Sequence, residues 1–163
     1  MNATVTPTGA TRTAVRARMS RAVAVAAGLS LAAAYVHLAY LESHWRSWWA
    51  YGAFFLAAGA GQALFAPAIL RWPSRALALV GIAGNVAIVG MYIASRTTGV
   101  PLGPHAHVPE PAGVIDLSTT AAEVALIAVL MTLLDARTRR WTANALLAIG
   151  ALLWLMRLTG RLP

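Results

Sequence analysis

Five apolar stretches follow one another along the chain, and a short polar segment separates each from the next. They cover roughly residues 21–41, 48–70, 75–95, 116–134 and 141–158. A helix needs about 20 apolar residues to cross the ~30 Å hydrocarbon core of a membrane, so the first three are long enough and the fourth is nearly so. Because only helices satisfy every backbone polar group of so short a chain within lipid, the pattern predicts an all-α, polytopic transmembrane helix bundle.

The polar segment before the first stretch has no apolar periodicity. Residues 1–20 are rich in Thr and Arg, and we expect them to form a disordered tail. Residues 21–163 are expected to form a single transmembrane bundle.

The composition supports the membrane class. Of the 163 residues, 59% are hydrophobic and 11% are charged, and the mean hydropathy is +0.65. A soluble domain carries about 25% charged residues, so this chain has too few to cover a surface that faces water. The absence of cysteine excludes disulfides, thiolate metal sites and c-type haem attachment.

The arginines predict the orientation. The net charge of +8 comes from thirteen arginines and no lysine, and their position at the ends of apolar stretches favours the lipid bilayer over nucleic acid as a partner. Most of them precede the first stretch or join the second to the third and the fourth to the fifth: Arg12, Arg16, Arg18, Arg21, Arg71, Arg75, Arg137, Arg139 and Arg140. Since cytoplasmic loops carry the excess of arginine, we expect a bacterial cell (inner) membrane protein with a cytoplasmic N-terminus.

The fifth stretch does not fit this rule, because Arg157 and Arg161 follow it and would lie outside. The bundle is therefore expected to have four spans and a fifth helix that is either a full span or a short, re-entrant element.

Histidine and acidic residues are confined to two parts of the chain, and of the nine only Asp135 lies elsewhere. The two parts contain His37, Glu42 and His44, and then His105, His107, Glu110, Asp116 and Glu123. Both fall on the predicted outer side, which indicates a single site there.

The spacing of these residues along the helices indicates how deep each one lies in the membrane. His37 lies seven residues before His44, and Glu123 lies seven after Asp116. Seven residues are two helical turns, or about 10 Å, so each pair has one member near the interface and one buried. An ionisable group at such depth indicates a functional site and needs a partner. His37 and Glu123 are predicted to be partners, either as part of a binding site or only as a contact that holds the helices in register.

The second and third stretches also carry polar residues that should face the bundle interior. Asn85, Tyr92 and Arg96 share one face of the third, and Gln62 lies in the second. Gln62 and Asn85 are typical of hydrogen bonds between helices. Arg96 is expected to reach the interface, to pair with an acidic residue of the outer loop, or to hold an anionic ligand.

The outer segment 96–115 contains four prolines and three glycines, which predict an ordered loop that covers the site. His105 and His107 could bind Cu²⁺ or Zn²⁺, because imidazole suits these ions. The candidate metal ligands are His37, His44, His105, His107 and Glu123. The candidate ligand-binding residues are Glu42, Asn85, Tyr92, Arg96, Glu110 and Asp116.

Two segments carry a resemblance to a family of small uncharacterised actinobacterial multi-pass membrane proteins. The first runs from His37 through Glu42-Ser43-His44 to Tyr51–Gln62. The second comprises Asn85, Ser95–Pro101, Gly103-Pro104, Pro109-Glu110-Pro111, Gly113, Asp116 and Glu123. The resemblance implies a polytopic membrane protein and carries no activity with it.

The sequence therefore predicts an integral membrane protein that binds a metal ion or a small polar ligand in a His/carboxylate pocket on the extracytoplasmic side. Three alternatives stay open: a membrane-embedded metal-dependent enzyme, a structural or accessory subunit of a larger membrane complex or homo-oligomer, and a small transporter or proton relay. No catalytic motif is recognisable, so whether the protein is an enzyme is not decided by the sequence.

Overall fold

The computed structural model describes residues 9–159 of the chain, with the backbone alone for residues 9–12 and 15. These residues form six helices: α1 Gly9–Ala39, α2 Leu41–Ser47, α3 Trp49–Arg71, α4 Arg75–Thr97, α5 Val114–Thr132 and α6 Ala136–Leu158. No strand occurs within this part of the chain. All helices except α2 are long and apolar enough to cross a membrane, which confirms the all-α polytopic architecture.

Two elements differ from the sequence prediction. Helix α1 begins at Gly9 rather than near residue 21, so residues 9–20 are helical rather than a disordered tail, and residues 1–8 lie outside the described residues. The polar segment 42–47, which separates the first apolar stretch from the second, lies within the short helix α2 and not in a loop. In α2, Glu42 pairs with Arg46 one turn later, a spacing that supports a helix.

The helices pack as a bundle in which α1 lies against both α3 and α5. Helix α4 packs on α5 and, less closely, on α3, while α2 packs on the start of α3. Residues 40–48 and 98–113 lie at the same end of the bundle. There Tyr51, at the start of α3, donates a hydrogen bond from its Oη to the carbonyl oxygen of Leu102, 2.8 Å long. We call this the loop end.

The other half of the bundle is a tightly packed apolar core. Two clusters of buried side chains form it: Ala26, Ala78, Ile82, Leu126, Leu130 and Leu134, and then Val23, Ala27, Ala66 and Ile69. The helices approach closely there, since a Cβ placed on Gly81 would lie 2.6 Å from the ring of Phe65. This packed layer separates the loop end from the opposite end of the bundle.

Helix α6 begins five residues before the apolar stretch that predicted it. Asp135 caps it, because Asp135 Oδ1 accepts hydrogen bonds from the backbone N–H groups of Arg137 and Thr138. These bonds and one from the Thr138 hydroxyl hold the pKa of Asp135 below its usual value. Helix α6 has the length and composition of a full span, and none of its residues is buried within the chain.

Candidate ligand-binding site

The centre of the site is a pair of buried ionisable side chains from α1 and α5. His37 Nε2 and Glu123 Oε1 are 2.9 Å apart, and the two residues are 7% and 2% exposed. The pairing predicted from the spacing is confirmed. It joins two helices that are far apart in sequence.

Two amide side chains extend this pair across the bundle. Gln62 Nε2 donates to Glu123 Oε1 at 3.4 Å and to Asn85 Oδ1 at 3.1 Å. Asn85 Nδ2 in turn donates to the carbonyl oxygen of Gly81. The predicted role of Gln62 and Asn85 as hydrogen bonds between helices is thus confirmed, and α1, α3, α4 and α5 are linked at one level.

The hydrogen bonds indicate the protonation of the pair. His37 Nδ1 is buried and has no hydrogen-bond partner among the described residues. A doubly protonated imidazole would bury an unpaired N–H donor there, which costs free energy. The arrangement therefore favours a neutral His37 that donates through Nε2, with Glu123 Oε1 accepting from His37 and Gln62.

A cavity of about 270 Å³ lies above the pair at the loop end. Its polar lining includes the His37–Glu123 pair and, nearer the interface, Arg96. Most of the remaining wall is apolar, with a group of aromatic side chains: Tyr40, Trp48, Tyr51, Phe54, Phe55 and Tyr92. A few polar groups in a largely apolar and aromatic wall are typical of small-molecule binding sites.

The α4–α5 loop covers part of this cavity in a defined conformation. The backbone N–H of His107 donates to the carbonyl oxygen of Val100, and that of Glu110 donates to the carbonyl oxygen of Ser95. Gly103 has a φ of +94°, and a Cβ there would lie 2.6 Å from Tyr51 Oη. Glycine permits this close approach, so Gly103 brings the loop against the start of α3.

Arg96 anchors the loop to the bundle. Its guanidinium donates to Glu110 Oε2 at 2.5 Å and to Asp116 Oδ2 at 2.8 Å. The guanidinium carbon also lies 5.1 Å from the centre of the Tyr92 ring, a cation–π distance. Of the roles predicted for Arg96, pairing with acidic residues is the observed one, and it involves both candidates.

His44 lies one aromatic ring away from the buried pair. Its Nδ1 donates to the carbonyl oxygen of Tyr40 at 2.8 Å, and its ring stacks on Phe55 at 3.6 Å between centroids. Phe55 also contacts the His37 ring edge-on. Both histidines of the first segment therefore line the cavity.

The remaining predicted site residues lie apart from the cavity. His105 and His107 are exposed on the loop and are not part of the cavity lining. Glu42 is exposed and bound to Arg46. Within the described part of the chain, no three His, Asp or Glu side chains form a group that could hold a metal ion.

The sequence did not predict the aromatic wall of the cavity. Trp48 lies near a helix end, which is typical of an interface belt, yet it lines the cavity beside Tyr51, 5.0 Å away between ring centroids. The available signal was the density of aromatic residues between positions 48 and 55, close to His44 in sequence.

Comparisons with protein-family models, with curated proteins and with solved structures found no significant match to this chain.

Proposed function

We propose that this chain is an integral membrane protein that binds a small organic molecule in the cavity at the loop end. One observation carries the proposal: a 270 Å³ cavity with an aromatic wall has the buried pair of His37 and Glu123 at its deepest point. Keeping ionisable side chains at this depth is costly, and such residues usually mark a binding site or pathway. The packed core below the cavity supports a role in binding rather than passage across the bundle.

An organic ligand fits the lining better than a metal ion does. His37 and Glu123 supply two possible metal ligands, whereas protein zinc sites use three or four. His44 lies nearby, but its ring is stacked on Phe55 and its Nδ1 is bound to a backbone carbonyl. Binding of Cu²⁺ or Zn²⁺ through His37, His44, His105, His107 and Glu123 stays a prediction.

Filling the cavity tests the proposal. Ala50 lines the cavity on α3, and Ala57 on the same helix is exposed outside it. We expect Ala50→Phe to occupy the space and exclude the ligand, and Ala57→Phe to leave it bound. Mass spectrometry of small molecules extracted from the detergent-purified proteins measures this. A compound present with the wild type and Ala57→Phe, and depleted at least tenfold with Ala50→Phe, is the expected result; identical extracts from all three proteins would contradict binding in this cavity.

We further propose that the loop end faces away from the cytoplasm of a bacterial cell, with the N-terminus inside. The excess of arginine at the opposite end supports this orientation.

Cysteine labelling tests the orientation cleanly because the chain has no cysteine of its own. Ser43→Cys in α2 and Leu102→Cys in the loop should react with a membrane-impermeant maleimide in intact cells. Ser74→Cys, between α3 and α4, should react only after the cells are permeabilised. Labelling of position 74 from outside would reverse the proposed orientation.

A further inference from the structure

We propose that the ligand of the loop-end cavity is a small organic cation, whose ammonium group is held by the carboxylate of Glu123 and by the surrounding aromatic rings. This inference rests on the proposed function and adds the charge of the ligand. The observation behind it is a buried acidic side chain, Glu123, that lines an aromatic cavity and whose Oε1 is hydrogen-bonded to His37 and Gln62.

Glu123 has no cationic partner in the protonation state that the hydrogen bonds favour. Its Oε1 accepts from His37 and Gln62, both of which are uncharged in that state. A buried carboxylate is costly unless a positive charge lies beside it. A cationic ligand would supply that charge at the deepest point of the cavity.

Arg96 does not compensate Glu123, because its guanidinium is bound to Glu110 and Asp116. That cluster has one positive and two negative charges, a net charge of −1. Glu123 with a neutral His37 adds −1, and with a protonated His37 it adds nothing. With His37 and His44 both neutral, the charged groups that line the cavity sum to −2, and with one of these histidines protonated they sum to −1. In both cases the cavity attracts cations and repels anions.

The aromatic wall selects the same class of ligand. Rings of Trp, Tyr and Phe attract cations to their faces, and aromatic cages are the usual sites for quaternary ammonium groups in proteins. In the cavity wall itself, Arg96 makes such a contact with the ring of Tyr92. A neutral ligand of the same shape would make the same apolar contacts, but it would lack both the ion pair with Glu123 and the cation–π contacts with the aromatic rings.

A set of probes with one shape and three charges tests the proposal in the wild-type protein. Choline is the cation, 3,3-dimethylbutan-1-ol is its uncharged isostere, and 3,3-dimethylbutanoate is an anion of similar size. Isothermal titration calorimetry of the detergent-purified protein measures the three dissociation constants. We expect choline to bind at least about tenfold more tightly than the alcohol, as one desolvated cation–π or ion-pair contact provides, and the carboxylate to bind most weakly.

A charge-neutral variant locates the effect at Glu123. Glu123→Gln keeps the shape and removes the charge, so choline should lose about tenfold in affinity while the alcohol is unaffected. Glu42→Gln, at an exposed position outside the cavity lining, is the matched control and should bind as the wild type does. If Glu123→Gln fails to fold, the comparison of the three probes in the wild type still decides the question.

The outcomes separate this inference from the proposed function. Binding of the alcohol or the carboxylate as tightly as choline would overturn the cation and leave the binding site in place. If none of the probes binds below about 10 mM, the compound extracted in the Ala50→Phe experiment decides: a cation supports the inference, and a neutral or anionic compound overturns it. No probe binding and no cavity-dependent compound would overturn both proposals.

Discussion

Glu123→Ala is expected to lower the free energy of unfolding by about 2–4 kcal/mol, the scale of breaking a buried pair. The substitution leaves the Nε2 donor of His37 unpaired in a buried layer and removes one of the two acceptors of Gln62 Nε2. An unsatisfied buried donor costs about 1–3 kcal/mol. It also leaves a void where a side chain 2% exposed was packed. Equilibrium unfolding of the detergent-solubilised protein, followed by circular dichroism, measures the loss.

The exposed acid of α2 is the control for this experiment. Glu42 pairs with Arg46 at the surface, and Glu42→Ala should change stability by no more than about 0.5 kcal/mol. A double-mutant cycle with His37→Ala and Glu123→Ala should give a coupling free energy near 1 kcal/mol, since measured pairs in membrane helices reach about 1.7 kcal/mol. If Glu123→Ala costs no more than Glu42→Ala, the buried pair does not stabilise the bundle.

Gly52→Ala should displace α2 from α3 and cost about 1–3 kcal/mol, as overpacking does. A Cβ at this position would lie 2.7 Å from Trp45 Cα, and a backbone atom cannot turn aside as a side chain does. Because α2 carries His44, which lines the cavity, the shift should also weaken ligand binding. Thermal unfolding followed by tryptophan fluorescence reports the loss of stability.

Gly61→Ala is the matched control on the same helix. Nothing lies within 4 Å of a Cβ at Gly61, and alanine is favoured over glycine in a helix by about 1 kcal/mol. This variant should therefore melt at the wild-type temperature or slightly above it. Equal melting temperatures for the two variants would show that α2 yields freely, contrary to the close contact with α3.

The positions that pair across the bundle were predictable because helical spacing fixes depth. His37 lies two helical turns from His44, and Glu123 lies two turns from Asp116. Because His44 and Asp116 both lie near the interface, His37 and Glu123 reach the same depth on two separate helices. Arg96 was expected to pair with an acidic residue of the outer loop, and the structure brings Glu110 and Asp116 to it. Where the helical period relates two residues, the sequence alone predicts their relative depth in the bundle.

Other features depend on contacts that no period encodes. The conformation of the loop depends on single hydrogen bonds and on Gly103 against Tyr51, and it turns His105 and His107 outward. The side of Trp48 that faces the cavity depends on how α2 folds back on α3. Such residues could be assigned to the outer end from sequence, but their place inside or outside the cavity could not.

Helix α6 has no residue buried within the chain, and this bears on how the protein is synthesised and inserted. Every residue that lines the cavity lies between positions 36 and 123, and α6 begins at Ala136. A ribosome that has released residue 134 into the membrane has delivered all the side chains of the core and the cavity. The bundle can therefore assemble while α6 is still being synthesised, and late insertion of this helix need not delay formation of the cavity.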